Sequence, residues 1–285
     1  MSTIEQSAAL EPDRLGARDR ARFFRAARHD RLEGLTAAFR AHRYAPHSHE
    51  TYVVGVIVAG CEAFQLRGAR RLAAAGDVCF VHPGDVHDGE PAGEGYAYRM
   101  TYPSIGLMQE IAADLTDRDV APAPFFADPV LRDPAAYAAF VAAHRALEAE
   151  PDGLLGEEAL VAAYGLLVAR HAGVAPMATT RGTGAAIGRA REFLDAHFAE
   201  EIDLARLAGV AGLSRHHFLR RFKHETGLTP HAYLTDCRVR AARRLVAAGE
   251  PLAEVAAACG FFDQSHLTNA FKARVGVAPG AFRRG

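Results

Sequence analysis

Hydrophobic positions follow two rhythms along this chain. From residue 31 to 103 apolar residues come in short runs, and residues 35–40, 52–58, 63–67, 78–81 and 96–102 read as strands. Gly55, Gly60, Gly68, Gly76, Pro83-Gly84 and Pro91 punctuate them. Many short strands at regular spacing predict a β-barrel or jelly roll. Past residue 104 the spacing changes to three and four, which predicts helices over 105–115, 134–149 and 154–172, with breaks at 122–129 and at Pro151-Asp152-Gly153. Leu154, Ala159, Ala162, Ala163, Leu166 and Leu167 make an apolar stripe suited to packing against the barrel. Residues 1–30 are polar and arginine-rich, a loose arm with one helical segment at 18–28, and residues 173–183 read as a flexible linker. A helix beginning at Ala185, with Ile187, Ala190, Leu194 and Phe198 inward, opens the final segment, 184–285.

That final segment holds one pattern written twice. An offset of 48 residues pairs Leu204-Ala205-Arg206-Leu207-Ala208 with Leu252-Ala253-Glu254-Val255-Ala256, and Gly212 with Gly260. After one extra residue near Phe261-Phe262 the offset is 49, and Ser214 meets Asp263, Phe218 meets Leu267, Phe222-Lys223 meets Phe271-Lys272, and Pro230 meets Pro279. Lys223 and Lys272 are the chain's only lysines. A repeat this short is one supersecondary unit used twice.

Each copy reads as a helix-turn-helix, over 203–224 and 251–273. Leu204, Leu207, Ala208 and Ala211 share one helical face. Gly212 permits the sharp turn, and Ser214 and Asp263 are N-cap residues for the helices that follow. Phe218 and Phe222, four apart, anchor the second helix. Its polar face carries Arg215, His216, Arg220 and Lys223 in the first copy; Gln264, Ser265, His266, Thr268, Asn269 and Lys272 are the counterparts in the second. Such side chains reach base edges and phosphates in a major groove. A helical bundle with a solvated face is the alternative for one copy, but matched caps, glycines and prolines in two copies argue against it. A connecting helix over 231–248 would be about 27 Å long, against about 34 Å between successive grooves. Its arginines Arg238, Arg240, Arg243 and Arg244 either touch phosphate or keep the rod soluble.

The stretches LARLAGVAGLSRHHFLRRFKHETGLTPHAYL and LAEVAAACGFFDQSHLTNAFKARVGVAPGAFRR, with the helix between them, resemble the DNA-binding domain of the AraC/XylS family of transcription regulators. The resemblance implies that the two units bind adjacent major-groove segments of double-stranded DNA. Carried over by position, base contacts fall on His216, Leu219 and Arg220, and on Gln264, Ser265, His266, Thr268 and Asn269. Leu219 stands where a polar residue is often found, so its contact would be apolar, such as a thymine methyl.

Charge agrees with a division of labour. The net charge is −1, but residues from Gly184 onward hold 15 Lys/Arg against 10 Asp/Glu, and the remainder 18 against 24. A basic module joined to an acidic one suits a specific, salt-sensitive DNA binder with a separate sensing part. Cys61, Cys79, Cys237 and Cys259 are scattered without a CxxC pair, as expected of reduced thiols in a cytoplasm. The N-terminus lacks an apolar signal region, and the most apolar run, 52–61, is about ten residues, short of the ~20 that span a membrane.

Two histidine stretches carry candidate chemistry: Pro46-His47-Ser48-His49-Glu50, and the run ending Pro83-Gly84-Asp85-Val86-His87. On a strand His47 and His49 share a face, and with His87 they could supply three imidazole ligands to a divalent metal. Hydrogen bonding in a small-molecule pocket and simple filling of the barrel interior are the other two readings. The stretches resemble the cupin-type sensor domain at the front of many AraC/XylS regulators. Metal-binding cupins usually add a glutamate a few residues after the second histidine, where Val53 and Val54 stand here. Arg99 is a candidate carboxylate partner in the pocket, with a solvated place on the rim as the alternative.

These readings combine into an α+β multidomain chain: an N-terminal cupin-like β-barrel (31–103) with following helices (104–172), and a C-terminal all-α domain (184–285) with two helix-turn-helix units. The function expected is a cytoplasmic transcription regulator controlled by a small-molecule effector held near His47, His49, His87 and Arg99. No catalytic residue, metal or cofactor is expected. The family resemblance adds a homodimer, through helices of 104–172, and contact with RNA polymerase. The competing classes are a cupin-type metal-dependent enzyme fused to a DNA-binding domain, and a constitutive architectural DNA binder.

Overall fold

The computed structural model describes residues 19–116, 121–173, 184–275 and 277–283. They form two compact units, one ending and the next beginning within 174–183. The linker expected at 173–183 lies, Gly173 aside, outside the described residues, as do residues 1–18 of the expected arm.

The first unit is built on one antiparallel eight-stranded sheet: β1 (Arg20–Ala26), β2 (Leu32–Phe39), β3 (Tyr44–His47), β4 (Val53–Leu66), β5 (Ala69–Ala74), β6 (Val78–Val81), β7 (His87–Tyr102) and β8 (Val130–Leu131). The main path runs β1-β2-β7-β4-β6-β8, with β3 on β7 and β5 on β4. The long strands β4 and β7 are the spine, and each has different neighbours at its two ends.

Two expectations fail here. The helical segment expected at 18–28 is instead the edge strand β1, paired with β2 from Arg20↔Ala38 to Ala26↔Leu32. Phe24 and Ala26 pack on the helix side of the sheet, where Arg22 of the same face reaches Glu148, while Arg25 on the opposite face pairs with its cross-strand partner Glu33. An open strand edge outweighs the modest helix preference of Arg and Ala. The runs 52–58 and 63–67 are also one strand. Gly60, read as a break, takes φ +68° at a bulge where the Gly95 carbonyl stands in the place of a Cβ.

Both faces of the sheet are buried. Leu35, Phe39, Ile57, Phe64, Val81, Tyr98 and Met100 form an inner cluster. Val54, Val56, Val78 and Phe80 face outward and pack with helices α1 (Ile105–Thr116), α2 (Pro134–Ala149) and α3 (Leu154–His171). Leu154, Ala163 and Leu167 of the expected stripe are buried, but so are Leu160, Val161, Tyr164 and Val168, so α3 is covered on several sides. Ala162 stays exposed.

The second unit is all helical: α4 (Gly184–His197), α5 (Leu204–Ala211), α6 (Arg215–Thr226), α7 (Pro230–Ala247), α8 (Leu252–Ala258), α9 (Gln264–Val275) and α10 (Pro279–Phe282). Pro at its first turn and the Thr229 hydroxyl, which accepts from the Ala232 amide, start α7. This rod packs against α6 on one side of the repeat and α8 and α9 on the other. Two of its arginines are structural. Arg238 donates to the carbonyls of Phe198 and Glu200 (2.7 and 2.9 Å), and Arg240 pairs with Asp195 and Asp236.

Candidate effector cavity and nucleic-acid interface

Strand alternation makes the cavity. Along β7, Tyr98, Met100 and Tyr102 point inward, joined by Val53, Glu62 and Phe64 of β4 and Cys79 and Val81 of β6. Tyr44, His47, His49, His87 and Asp88 complete the lining of a narrow space of about 50 Å³. His47 and His87 are directly paired across β3 and β7. Ring centroids of the three histidines lie 4.5–5.1 Å apart, and one ligand atom from each falls within 4.8 Å of the others.

The rings are oriented from behind. His47 Nδ1 lies 2.8 Å from the Ala45 carbonyl and His87 Nδ1 3.3 Å from that of Asp85. A carbonyl only accepts, so each Nδ1 carries the hydrogen, and the acceptor position of that tautomer is Nε2. Burial, reinforced by the neighbouring rings, lowers His49 to about 3; burial and His47 lower His87 to about 4. Both are neutral at physiological pH. Three converging imidazoles fit a divalent metal as ligands, but among the described residues no carboxylate joins the set.

Sequence reasoning missed Glu62. It sits in the middle of the apolar β4, is 8% exposed, and lines the cavity. Gly89 makes room for it, since a Cβ there would lie 2.7 Å from Glu62 Oε1. Burial raises its carboxyl to about 8, with Asp88 adding to the shift and the Tyr96 hydroxyl offsetting part of it. Also missed were the tyrosines; Tyr44 and Tyr98 share a hydroxyl hydrogen bond of 2.9 Å. Their signal was the period of two in Tyr96, Tyr98 and Tyr102.

Arg99 does not belong to the cavity. One residue out of phase with Tyr98 and Met100, it leaves the opposite face of β7, where Nη1 bonds Glu148 (2.7 Å) and His144 Nδ1 (3.0 Å) of α2 and Thr36 Oγ1 (3.2 Å) of the neighbouring strand β2. Neither the pocket nor a solvated rim describes it.

In the second unit the caps are where the repeat puts them. Gly212 takes φ +69°, and the side chains of Ser214 and Asp263 accept from the amides of His217 and His266. Phe218, Phe222, Leu267 and Phe271 are buried. Arg220 and Lys223 on α6 are exposed, as are Gln264, Ser265, Asn269 and Lys272 on α9; Arg215, Leu219, His266 and Thr268 are half-buried. His266 is also held locally, its Nδ1 accepting from the Phe262 amide at 3.4 Å. His216 departs from expectation: it is 8% exposed, and burial with Arg220 and His217 nearby lowers it to about 4. Helix α6 touches α4, α5 and α7, so its covered arc is wider than the stripe of two phenylalanines and takes in position 216. His224 is exposed instead, and Phe262, in the turn before α9, is 91% exposed.

Comparison with known proteins bears directly on this pair of units. Residues 31–163 match the AraC-like ligand binding domain family, and residues 207–285 match a helix-turn-helix domain family. The chain belongs to the AraC family of transcription regulators. It is 27% identical over 226 residues to the HTH-type transcriptional regulator YbfI of Bacillus subtilis, an alignment covering 79% of this chain and 82% of that one. It is 36% identical over 94 residues to the transcriptional activator RhaS of an Enterobacter species, covering 33% of this chain and 34% of RhaS. Among solved structures it is similar to the DNA-binding domain of AdpA in complex with a target DNA, with 33% identity and a TM-score of 0.33, over 34% of this chain and 89% of that chain. This AraC-family chain is thus a DNA-binding transcription regulator with an effector-binding domain. No helix among its described residues is long and apolar enough to cross a membrane.

Proposed function

We propose that a small molecule held in the cavity of the first unit controls how the second unit engages DNA, with α6 and α9 entering adjacent major-groove segments. The observation that carries this reading is a walled cavity with oriented polar groups in one unit and a capped, doubled helix-turn-helix in the other. The effector acts by favouring one arrangement of the protein over another, since equal affinity for both would shift nothing. On DNA, Arg220, Lys223, Gln264, Ser265, Asn269 and Lys272 are the principal contacts, with Arg215, Leu219, His266 and Thr268 at the margin. His216 supports the helix from inside. The protein works in the cytoplasm as a homodimer and meets RNA polymerase at its promoters. It is a regulator and not an enzyme. Genome-wide footprinting tests this: discrete sites upstream of a small gene set are expected, and uniform coverage would contradict it. A fragment of residues 179–285 should bind the same sites without responding to effector.

The converging imidazoles favour one second reading, a metal centre held by His47, His49 and His87. Elemental analysis of the purified chain and of His49→Ala tests it. Stoichiometric zinc, iron or manganese lost in the variant supports it; absence of metal removes it, and the enzyme reading with it.

A further inference from the structure

The cavity wall is rich in acceptors, and none of its described lining residues is lysine or arginine. At one end His47 and His87 give their Nδ1 hydrogens to backbone carbonyls, leaving Nε2 to accept. Glu62 contributes a carboxyl that is 8% exposed, and Asp88 a second. Arg71 shares this face through its pairing with Phe64 but does not line the cavity. The rings of Tyr44, Tyr98, Tyr102 and Phe64 make up much of the remaining wall.

A buried carboxyl must be protonated, hydrogen-bonded or paired with a cation, and tyrosine rings attract cations electrostatically. An anionic ligand would meet two carboxyls in the lining and no lysine or arginine among the described lining residues. A metal ion would satisfy the three imidazoles but leave Glu62 outside the converging set, and Val53, Phe64, Val81 and Met100 ask for carbon instead. We infer that the effector is a small organic cation, an ammonium-bearing molecule whose charged end lies against Glu62 and the tyrosine rings. Its N–H groups donate to the acceptors, and its carbon skeleton covers the apolar wall. This rests on the first unit being the sensor. The size of the cavity, about 50 Å³, favours a compact molecule.

The test uses the purified full-length chain, with thermal shift and titration calorimetry against matched panels. The cations are ethanolammonium, tetramethylammonium and a set of small primary amines. Their counterparts are neutral isosteres (ethylene glycol, tert-butanol), carboxylates (glycolate, pivalate), and Zn²⁺ and Mn²⁺ alone. Stabilisation by a cation is expected, with affinity falling about tenfold or more in Glu62→Gln and about threefold or more in Tyr44→Leu. Should Glu62→Gln not fold, judged by circular dichroism, Tyr44→Leu carries the test. Stabilisation by neutral, anionic or metal probes while the cations are silent overturns the assignment and leaves the cavity as the sensor. Silence of every panel contradicts both.

Discussion

Replacing Glu62 by Gln keeps the shape of the side chain and removes its titration. In the wild-type chain burial lifts the carboxyl from 4.5 to about 8. Between those values the folded chain holds a proton that the unfolded chain has released. The residue's contribution to stability is therefore full below pH 4.5, declines as pH rises, and levels off above about 8. At about 1.4 kcal/mol per pH unit the ceiling is about 5 kcal/mol, and relaxation of the pocket around a charged carboxylate should leave about 2–4 kcal/mol. Glutamine lacks this decline. Calorimetric melting of the ligand-free full chain at pH 5, 6, 7 and 8 should show a difference between variant and wild type that opens with pH and favours the variant. The buried histidines are common to both proteins and drop out of the difference. Parallel profiles over this range would refute the claim that Glu62 is buried without a cation.

Other perturbations separate structural from functional residues. Gly260→Ala should cost more than Gly212→Ala, because both have positive φ but only the former sets a Cβ 2.7 Å from the Ala199 carbonyl oxygen; about 1 kcal/mol is expected at Gly212 and at least twice that at Gly260, by urea titration. Arg99→Met should cost about 2–4 kcal/mol by leaving the half-buried Glu148, of its described ion pairs, only the long one with Arg22, with effector affinity unchanged; a selective loss of effector binding would return Arg99 to the pocket. His216→Leu should leave base preference intact in a binding-site selection, whereas a shifted consensus would mean that the imidazole reads DNA.

What the sequence revealed depended on which constraint was local. The helix-turn-helix pair was legible because caps, turn glycines and four-residue spacing act over a few residues, and Ser214, Gly212 and Asp263 behave as their chemistry dictates. His47, His49 and His87 were legible as a set because a period of two fixes which side chains share a face. Residues set by longer-range contacts were not. Arg99 is placed by strand phase and by Glu148, 49 residues away. His216 is buried on a helix that packs against three others. Glu62 sits inside an apolar run where local pattern gives a carboxyl no role, and β1 becomes a strand only because β2 offers an edge.

The central claim is that α6 and α9 read neighbouring grooves of one duplex. The most direct measurement is a binding-site selection with wild type, Arg220→Ala and Gln264→Ala at fixed salt. Each variant should lose about 1–3 kcal/mol and relax preference at its own base positions, in two clusters about one helical turn apart. Relaxation of both variants at the same bases, or a uniform loss across all sequences, would contradict it.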